Sequence, residues 1–173
     1  MVEKTKFFEI ELPLIGEKVE LIGKTQDDLI GRTVKIDLTR KLKGKGAEII
    51  FDIKKINEQI TSKTKRIHVL GYFIRRMMRK SISYVEDSFD ATCKDGVLKI
   101  KPFLITRKKV VRAVRTALQA KAKEEIINEV KEKTADEIFA EILFGKLQKN
   151  LSLKLKKIYP LALCEVRDIF LVK

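Results

Sequence analysis

The stretch VEDSFDATCKDGVLKIKPFLITRKKVVRAVRTAL, residues 85–118, decides the fold because its apolar residues change from one periodicity to another. Its first part alternates apolar and polar residues, which predicts a β-strand with one acidic misfit on the apolar face, Asp87. The turn Lys94-Asp-Gly96 follows, and Asp-Gly between two such segments is a strong hairpin signal. We therefore expect Val97–Thr106 to be the return strand, in which Pro102 predicts an edge position or a β-bulge.

Beyond Thr106 the apolar residues recur every three to four positions, which predicts a long amphipathic helix. The residues of this stripe are Val111, Val114, Leu118, Ala122 and Ile126. Thr134-Ala-Asp-Glu137 is similar to a capping box and predicts a second helix that ends at Gly145. A third helix is expected over Lys146–Lys157, and a final strand over Leu161–Val172.

The first hundred residues are expected to form strands and turns. The candidate strands are Phe7–Leu12, Val19–Ile22, Arg32–Thr39, Glu48–Ile53 and Gln59–Val69. Tyr72–Lys80 has apolar residues at helical spacing and predicts a short helix. The expected fold class is α+β: an antiparallel β-barrel-like core on which the long helix and two shorter C-terminal helices pack. We expect one domain over residues 1–173, β-rich in 1–106, helical in 107–158, with the final strand in 161–172.

The positive charge of the chain limits its possible partners. Lys and Arg number 38 against 24 Asp and Glu, so the formal net charge of the 173 residues is +14. An apolar content of 45% is enough for a packed core and argues against global disorder. This charge makes a nucleic acid, or an anionic membrane, the leading candidate partner, and because the charge is segmented along the chain we favour a nucleic acid over the absence of a dedicated partner. A basic protein without a dedicated partner is the alternative.

The sequence carries no sign of secretion or membrane insertion. After Met1 it continues Val-Glu-Lys-Thr-Lys, without an apolar signal region. No apolar stretch approaches the roughly 20 residues of a membrane span. Cys93 and Cys164 lack the spacing of metal ligands, and we expect them to be small buried residues of a reduced, cytoplasmic protein.

Sixteen basic residues fall into four groups that we predict to bind RNA. They are Arg40, Lys41, Lys43 and Lys45 on a loop tip; Lys63, Lys65 and Arg66 on a strand; Arg75, Arg76, Arg79 and Lys80 on the short helix; and Arg107, Lys108, Lys109, Arg112 and Arg115 at the start of the long helix. Between Lys99 and Lys123 there are nine basic residues and no acidic one. Cations at a helix start oppose the macrodipole, so stability does not explain them, whereas a phosphate ligand does.

Residues suited to catalysis do not form a recognisable set. The single histidine, His68, lies in an apolar stretch, and no Ser, Cys or Thr has a visible base partner. Gly44-Lys-Gly46 lacks the rest of a nucleotide-binding fingerprint. We expect no enzyme activity, no cofactor and no metal. Two acidic patches are expected to avoid RNA or to face basic neighbours; they are Glu86, Asp87 and Asp90, and Glu124–Glu132.

The kind of nucleic acid follows from the aromatic content. Aromatic residues make up 7% of the chain and Trp is absent, which argues against base stacking as the main binding mode. Shape and backbone recognition of folded RNA is therefore favoured. A chromatin-type DNA-binding protein, or another basic nucleic-acid-binding protein, is the alternative, and an enzyme acting on RNA would need an acid–base group that we do not find.

Several short motifs resemble a known family by their order and spacing over residues 20–172. The motifs are Leu29-Ile-Gly-Arg32, Cys93-Lys-Asp-Gly96, Phe103-Leu-Ile-Thr-Arg107, Leu143-Phe-Gly-Lys146, Lys156-Lys-Ile-Tyr-Pro-Leu161 and Glu165-Val-Arg167. In this order they resemble the S3Ae family (eukaryotic-type S1) of archaeal and eukaryotic small-subunit ribosomal proteins.

The resemblance implies a structural protein on the platform of the small subunit, near the mRNA exit and the 3′ end of the rRNA. It implies rRNA and neighbouring ribosomal proteins as partners, with mRNA near the exit as a further one, in cytoplasmic ribosomes. The implied RNA contact is best supported for the group at Arg107–Arg115, and next for Arg75, Arg76 and Arg79. The chain departs from the family in lacking the basic N-terminal arm and the long C-terminal tail, which favours a compact archaeal-type member.

Overall fold

A computed structural model of the protein describes residues 5–56 and 59–172. Residues 1–4, where we expected no signal region, lie outside the described part. The strands are β1 (Lys6–Leu12), β2 (Glu17–Gly23), β3 (Thr33–Asp37), β4 (Ala47–Ile56), β5 (Gln59–Val69), β6 (Tyr84–Glu86), β7 (Phe89–Cys93), β8 (Gly96–Thr106) and β9 (Leu161–Val172). The helices are α1 (Gly71–Met77), α2 (Arg112–Lys131), α3 (Ala135–Leu143) and α4 (Lys146–Leu155).

The core of the molecule is an antiparallel sheet with helices packed on it, which confirms the expected α+β class. Seven strands form one sheet in the order β3-β4-β5-β9-β8-β6, with β7 also paired to β8. The strands β1 and β2 form a separate hairpin. Within the described residues the large sheet does not close into a barrel, because its outer strands β3 and β6 do not pair with each other.

The hairpin that dominates the sequence pattern is present, with one interruption. The predicted first strand is divided into β6 and β7 at Asp87 and Ser88. The Asp87 carboxylate accepts a 2.8 Å hydrogen bond from the Ser88 N–H, and a charged side chain cannot continue the apolar face. Pro102 lies at a β-bulge in the pairing of β8 with β9. The bulge is confirmed, but the edge position is wrong, because β8 lies between β9 and the pair β6 and β7.

Two helices are shorter than the sequence predicts: α1 ends earlier than expected, and α2 begins later. The helix α1 ends at Met77, so Arg79 and Lys80 are not helical. The helix α2 begins at Arg112 and not at residue 107, so Arg107–Lys109 precede it in a loop. Val111, the residue that caps α2, is 69% exposed and does not belong to the buried stripe of the helix.

The C-terminal helices follow the local sequence signals closely. Thr134 and Glu137 form the predicted capping box: the Thr134 hydroxyl accepts from the Glu137 N–H at 3.4 Å, and the Glu137 carboxylate accepts from the Thr134 N–H at 2.9 Å. Gly145 joins α3 to α4 with φ of 73°, a left-handed conformation that costs glycine little. These helices and α2 pack on the sheet around one apolar cluster, whose helical members include Leu118, Ile126, Phe139 and Leu151.

Candidate nucleic-acid interface

The pairing of β6 with β8 brings two distant basic segments to one end of the sheet. In this antiparallel pair Tyr84 lies opposite Ile105. The chain that enters β6 and the chain that leaves β8 therefore lie side by side. The first carries Arg79 and Lys80, and the second carries the loop Arg107–Lys109. Two predicted groups, separate in sequence, are thus adjacent in space.

The side chains of Ser83 and Thr106 hold the loop before α2 out of the helix. Thr106 is fully buried, and its hydroxyl accepts a 3.1 Å hydrogen bond from the Ser83 N–H. The same hydroxyl lies 2.9 Å from the Ser83 carbonyl oxygen and 2.7 Å from that of Lys108. The Ser83 hydroxyl accepts from the Val110 N–H at 3.2 Å. Because side chains hydrogen-bond to the Lys108 carbonyl and to the Val110 N–H, these two backbone groups are not used for an earlier turn of the helix.

Eight basic side chains line three contiguous depressions at this end of the sheet. We call the surface formed by these eight side chains the cationic face; its residues are Arg76, Arg79, Lys80, Arg107, Lys108, Lys109, Arg112 and Arg115. The depressions measure about 520, 700 and 390 Å³. Arg107 lines two of them and Ile82 also lines two, so the surface is continuous.

The positive charges of the cationic face are not neutralised by any acidic side chain among residues 5–56 and 59–172. In the part of the chain that the structure describes, none of these eight side chains has an acidic oxygen within 4 Å. The nearby carboxylate of Glu86 already pairs with Arg167. The first turn of α2 contains no acidic residue, and no side chain caps its N–H groups. The helix dipole therefore adds positive potential to that of the side chains.

The other predicted basic residues lie elsewhere, and half of them are paired. The paired ones are Lys41 with Glu17, Lys45 with Glu165, Lys65 with Asp52 and Arg66 with Asp168. Arg40, Lys43, Lys63 and Arg75 form no ion pair among the described residues. The loop between β3 and β4 packs against α1 through Leu42, which places Arg40 and Lys43 on the α1 side of the molecule.

Most residues of the two acidic patches form ion pairs with basic residues of the same chain. Lys154 of α4 lies 2.7 Å from a Glu125 oxygen and 3.0 Å from a Glu129 oxygen. The hydrogen bonds from Lys154 and Lys121 lower the pKa of Glu125 below its usual value. Lys99 lies 3.5 Å from Asp90. These carboxylates belong to the far half of α2 and to β7, away from the loop before α2.

Sequence reasoning missed Tyr84 and Asp168. Tyr84 is 49% exposed and lines one depression of the cationic face; the alternation Tyr84-Val85-Glu86 could have placed it on the solvent side of a strand. Asp168 is 2% exposed and binds Arg66, with His68 Nδ1 at 3.5 Å. No local pattern could have revealed it, because Asp168 and Arg66 are 102 positions apart.

The described residues contain neither a membrane-spanning helix nor a metal-binding cluster. None of the helices in residues 5–56 and 59–172 combines the length and apolar character needed to cross a bilayer. Over the same residues, His, Cys, Asp and Glu do not gather in a group of three that could hold a metal ion.

Comparison with known proteins agrees with the motifs in the sequence. The sequence model of the Ribosomal S3Ae family matches residues 2–173. The chain belongs to the Ribosomal S3Ae family. The resemblance stated from the short motifs is therefore confirmed over nearly the whole chain.

Two archaeal ribosomal proteins are similar to this chain. "Small ribosomal subunit protein eS1" of Ignicoccus hospitalis is 29% identical over 172 residues, which cover 93% of this chain and 81% of that protein. The protein of the same name from Saccharolobus islandicus is 32% identical over 102 residues, or 58% of this chain and 49% of that protein. The match thus spans about half the length of the Saccharolobus relative.

Proposed function

We propose that this S3Ae family member is a structural component of the small ribosomal subunit and binds rRNA through the cationic face. Its family membership and the names of its relatives support the ribosomal role. The gathering on one surface of eight cations that form no ion pair with any described residue supports rRNA as the ligand. A catalytic role is not part of the proposal, since its relatives are named as subunit proteins.

The mechanism is electrostatic. Arg and Lys side chains neutralise rRNA phosphates and release condensed counterions, which favours binding at low salt. Arginines can hold a phosphate with two parallel N–H bonds, and five of the eight cations are arginines. The Ser83–Thr106 hydrogen bonds fix the loop that carries Arg107–Lys109, so less conformational entropy is lost on binding.

The location on the subunit is the finer part of the proposal. We place the protein on the platform, near the mRNA exit and the 3′ end of the rRNA, in cytoplasmic ribosomes. Neighbouring ribosomal proteins are further partners, and mRNA near the exit is another. The family resemblance supports this location. The exposed apolar residues Phe7, Phe144 and Leu153 support protein neighbours, since such side chains are suited to protein contacts.

The test is a charge reversal at the start of α2. Arg112→Glu with Arg115→Glu should prevent co-sedimentation with small subunits in sucrose gradients while the circular dichroism spectrum is unchanged. For the isolated protein and small-subunit rRNA, eight phosphate contacts predict a slope of log K against log salt between roughly −6 and −7. The double variant should lose more than two units of that slope, since two contacts are removed and repulsion is added.

The matched control reverses two lysines at the other end of the same helix. Lys131 lies about 24 Å along the helix from Arg115, and Lys94 is held close to that end by its N–H bond to the Lys133 carbonyl. Lys94→Glu with Lys131→Glu changes the net charge equally and should co-sediment like the wild type. Normal incorporation of the Arg112 and Arg115 variant would contradict the proposal, as would equal losses in both variants.

A further inference from the structure

The hairpin of β1 and β2 buries one of its faces and exposes the other. On the inward face Ile10 and Leu12 belong to the core and are 2% and 1% exposed. On the outward face Phe7 is 69% exposed and Ile22 is 51% exposed. Phe7 lies directly opposite Ile22 in the antiparallel register, so the two side chains form one apolar patch on that face. Folding leaves this patch exposed to water.

The outward face also carries charges that do not stabilise the hairpin. Glu9 lies directly opposite Glu20, and like charges in that position destabilise a strand pair. Lys18 Nζ lies 3.8 Å from a Glu9 oxygen and 3.3 Å from a Glu11 oxygen, so one lysine is shared by two glutamates. Glu20 forms no ion pair with any described residue. The outward face therefore keeps an excess of negative charge beside its apolar patch.

The hairpin differs in charge from the chain as a whole. Residues 6–23 contain four Glu and two Lys, so their formal net charge is −2, whereas that of the whole chain is +14. The inward face attaches the hairpin to β4 and β5. Ile10 packs with Ile53, and the Ser62 hydroxyl donates a 2.7 Å hydrogen bond to the Glu11 carbonyl oxygen. These contacts fix the position of the hairpin on the sheet.

The hairpin and the cationic face lie at opposite ends of the large sheet. The strands β5 and β8 run parallel, since each pairs antiparallel with β9, and Arg66 and Lys99 are level because both lie opposite Phe170. Ser62 precedes that level in β5, and Thr106 follows it in β8. About ten residues of strand separate the two, a distance on the order of 30 Å. A ligand of the hairpin and an RNA on the cationic face therefore contact different ends of the protein.

The chemistry of the outward face favours a basic protein segment as its ligand. Unneutralised glutamates repel RNA phosphates, which disfavours a nucleic acid here. An apolar patch beside carboxylates is complementary to an apolar side chain flanked by Arg or Lys. We propose that the outward face of the β1–β2 hairpin docks a basic segment of another small-subunit protein. An apolar side chain of that segment covers Phe7 and Ile22, and its cations pair with Glu9 and Glu20.

This inference rests on the proposed ribosomal function and adds the docking surface and the chemistry of the partner. Each strand of the hairpin has seven residues, so the outward face measures roughly 200–300 Å². A stable interface of standard size buries about 800 Å² on each partner. The contact is therefore weak by itself, and it gains from the effective concentration that a common rRNA gives to two bound proteins. The experiments accordingly use assembled small subunits.

The first experiment labels carboxylates with a carbodiimide and glycine ethyl ester. Glu20 should be labelled readily in the isolated protein and slowly in purified small subunits. Without the added amine, the carbodiimide should join Glu9 or Glu20 to a lysine of the neighbouring protein, which mass spectrometry identifies. Equal labelling of Glu20 in the isolated protein and in subunits would contradict the inference. Crosslinks of the hairpin to a second copy of this chain, or ultraviolet crosslinks of the hairpin to rRNA, would also contradict it.

The second experiment follows the proteins of salt-washed subunits by quantitative mass spectrometry. Phe7→Ala removes the ring from the apolar patch and should raise the rate at which one neighbouring protein is lost roughly tenfold. Phe7→Leu should retain that protein. Glu20→Lys should release the same protein, whereas Glu132→Lys should not. Glu132 is the matched control because it is also exposed and forms no ion pair among the described residues. An unchanged rate in Phe7→Ala or in Glu20→Lys would contradict the inference.

Failure of this inference is distinguishable from failure of the proposed function. The salt slope on small-subunit rRNA depends on the cationic face and should be unchanged in Phe7→Ala. If Glu20 is labelled equally in subunits while the protein still co-sediments with them, the docking surface is wrong and the proposed function stands. If the Arg112 and Arg115 variant is incorporated normally while Glu20 is protected, the cationic face is wrong and the docking surface stands.

Discussion

The guanidinium of Arg66 and the carboxylate of Asp168 form two parallel hydrogen bonds of 2.7 Å between β5 and β9. Asp168 is 2% exposed, and Lys101 Nζ lies 3.3 Å from its second oxygen. Burial raises the pKa of Asp168. The hydrogen bonds and charge of Arg66, together with His68 and Lys101, lower this pKa by more than burial raises it, so the net shift is downward. Arg66 thus stabilises the sheet, which distinguishes it from the unpaired arginines of the cationic face.

Removing Arg66 should reduce stability in a pH-dependent way. Arg66→Gln leaves Asp168 with Lys101 as its remaining close cation, so we expect a loss of about 2 kcal/mol at pH 7, below the roughly 3–5 kcal/mol of a fully buried pair. Because the folded-state pKa of Asp168 is lowered, its contribution is complete above the unfolded pKa and is lost as the pH falls through the folded pKa. The difference between wild type and variant should therefore be constant above about pH 5 and narrow below pH 4.

Urea unfolding at pH 7, 5 and 3 measures this difference. The control is Lys65→Gln on the same strand, whose pair with Asp52 is more exposed and should contribute less than about 1 kcal/mol. A difference between wild type and Arg66→Gln that grows at pH 3 would contradict the assignment.

Thr106→Val should affect both stability and RNA binding. Valine keeps the shape of threonine but leaves the half-buried Ser83 N–H without its acceptor, at a cost of roughly 1–3 kcal/mol. The loop Arg107–Lys109 is then no longer fixed, so the affinity for small-subunit rRNA should fall although no charge has changed. Thr106→Ser retains the hydroxyl and should bind RNA as the wild type does. Thermal unfolding and filter binding measure the two effects, and an unchanged affinity in Thr106→Val would show that the loop needs no fixing.

The capping box of α3 should contribute a measurable part of the stability. Thr134→Ala removes the oxygen that accepts from the Glu137 N–H, and we expect a loss of about 1 kcal/mol. Thr134→Ser keeps the cap and should lose only a fraction of that. Differential scanning calorimetry measures both variants. RNA binding should be unchanged in each, since α3 contributes no residue to the cationic face.

The thiol of Cys164 should be unreactive in the folded protein. Burial, and then the neighbouring charge of Glu165, raise its pKa to about 12. At pH 8 only about one molecule in ten thousand carries the reactive thiolate there, against a far larger fraction in the unfolded chain. Iodoacetamide labelling followed by mass spectrometry should modify Cys164 rapidly in urea and slowly without it. Rapid labelling of the folded protein would contradict the raised pKa.

Local sequence predicted most of the strands and helices. The Lys94–Gly96 turn, the Thr134 capping box and the final strand Leu161–Val172 were all correctly expected, because hydrogen bonds between near neighbours or a continuous periodicity specify them. The errors occurred where distant groups intervene. The sequence pattern predicts the start of α2 five residues too early, because it does not show that Ser83, 23 positions away, hydrogen-bonds to the hydroxyl of Thr106.

The sequence by itself determined the type of each element, the excess of positive charge and the family. Only the tertiary structure decided which cations are available to a ligand. Arg66 and Arg107 look alike in the sequence, but β5 lies beside β9 and places Arg66 on Asp168, whereas the pairing of β6 with β8 gathers Arg107 with Arg79 and Lys80. Charge can be counted along a chain, but its neutralisation depends on distances between residues far apart in sequence, and these distances exist only after folding.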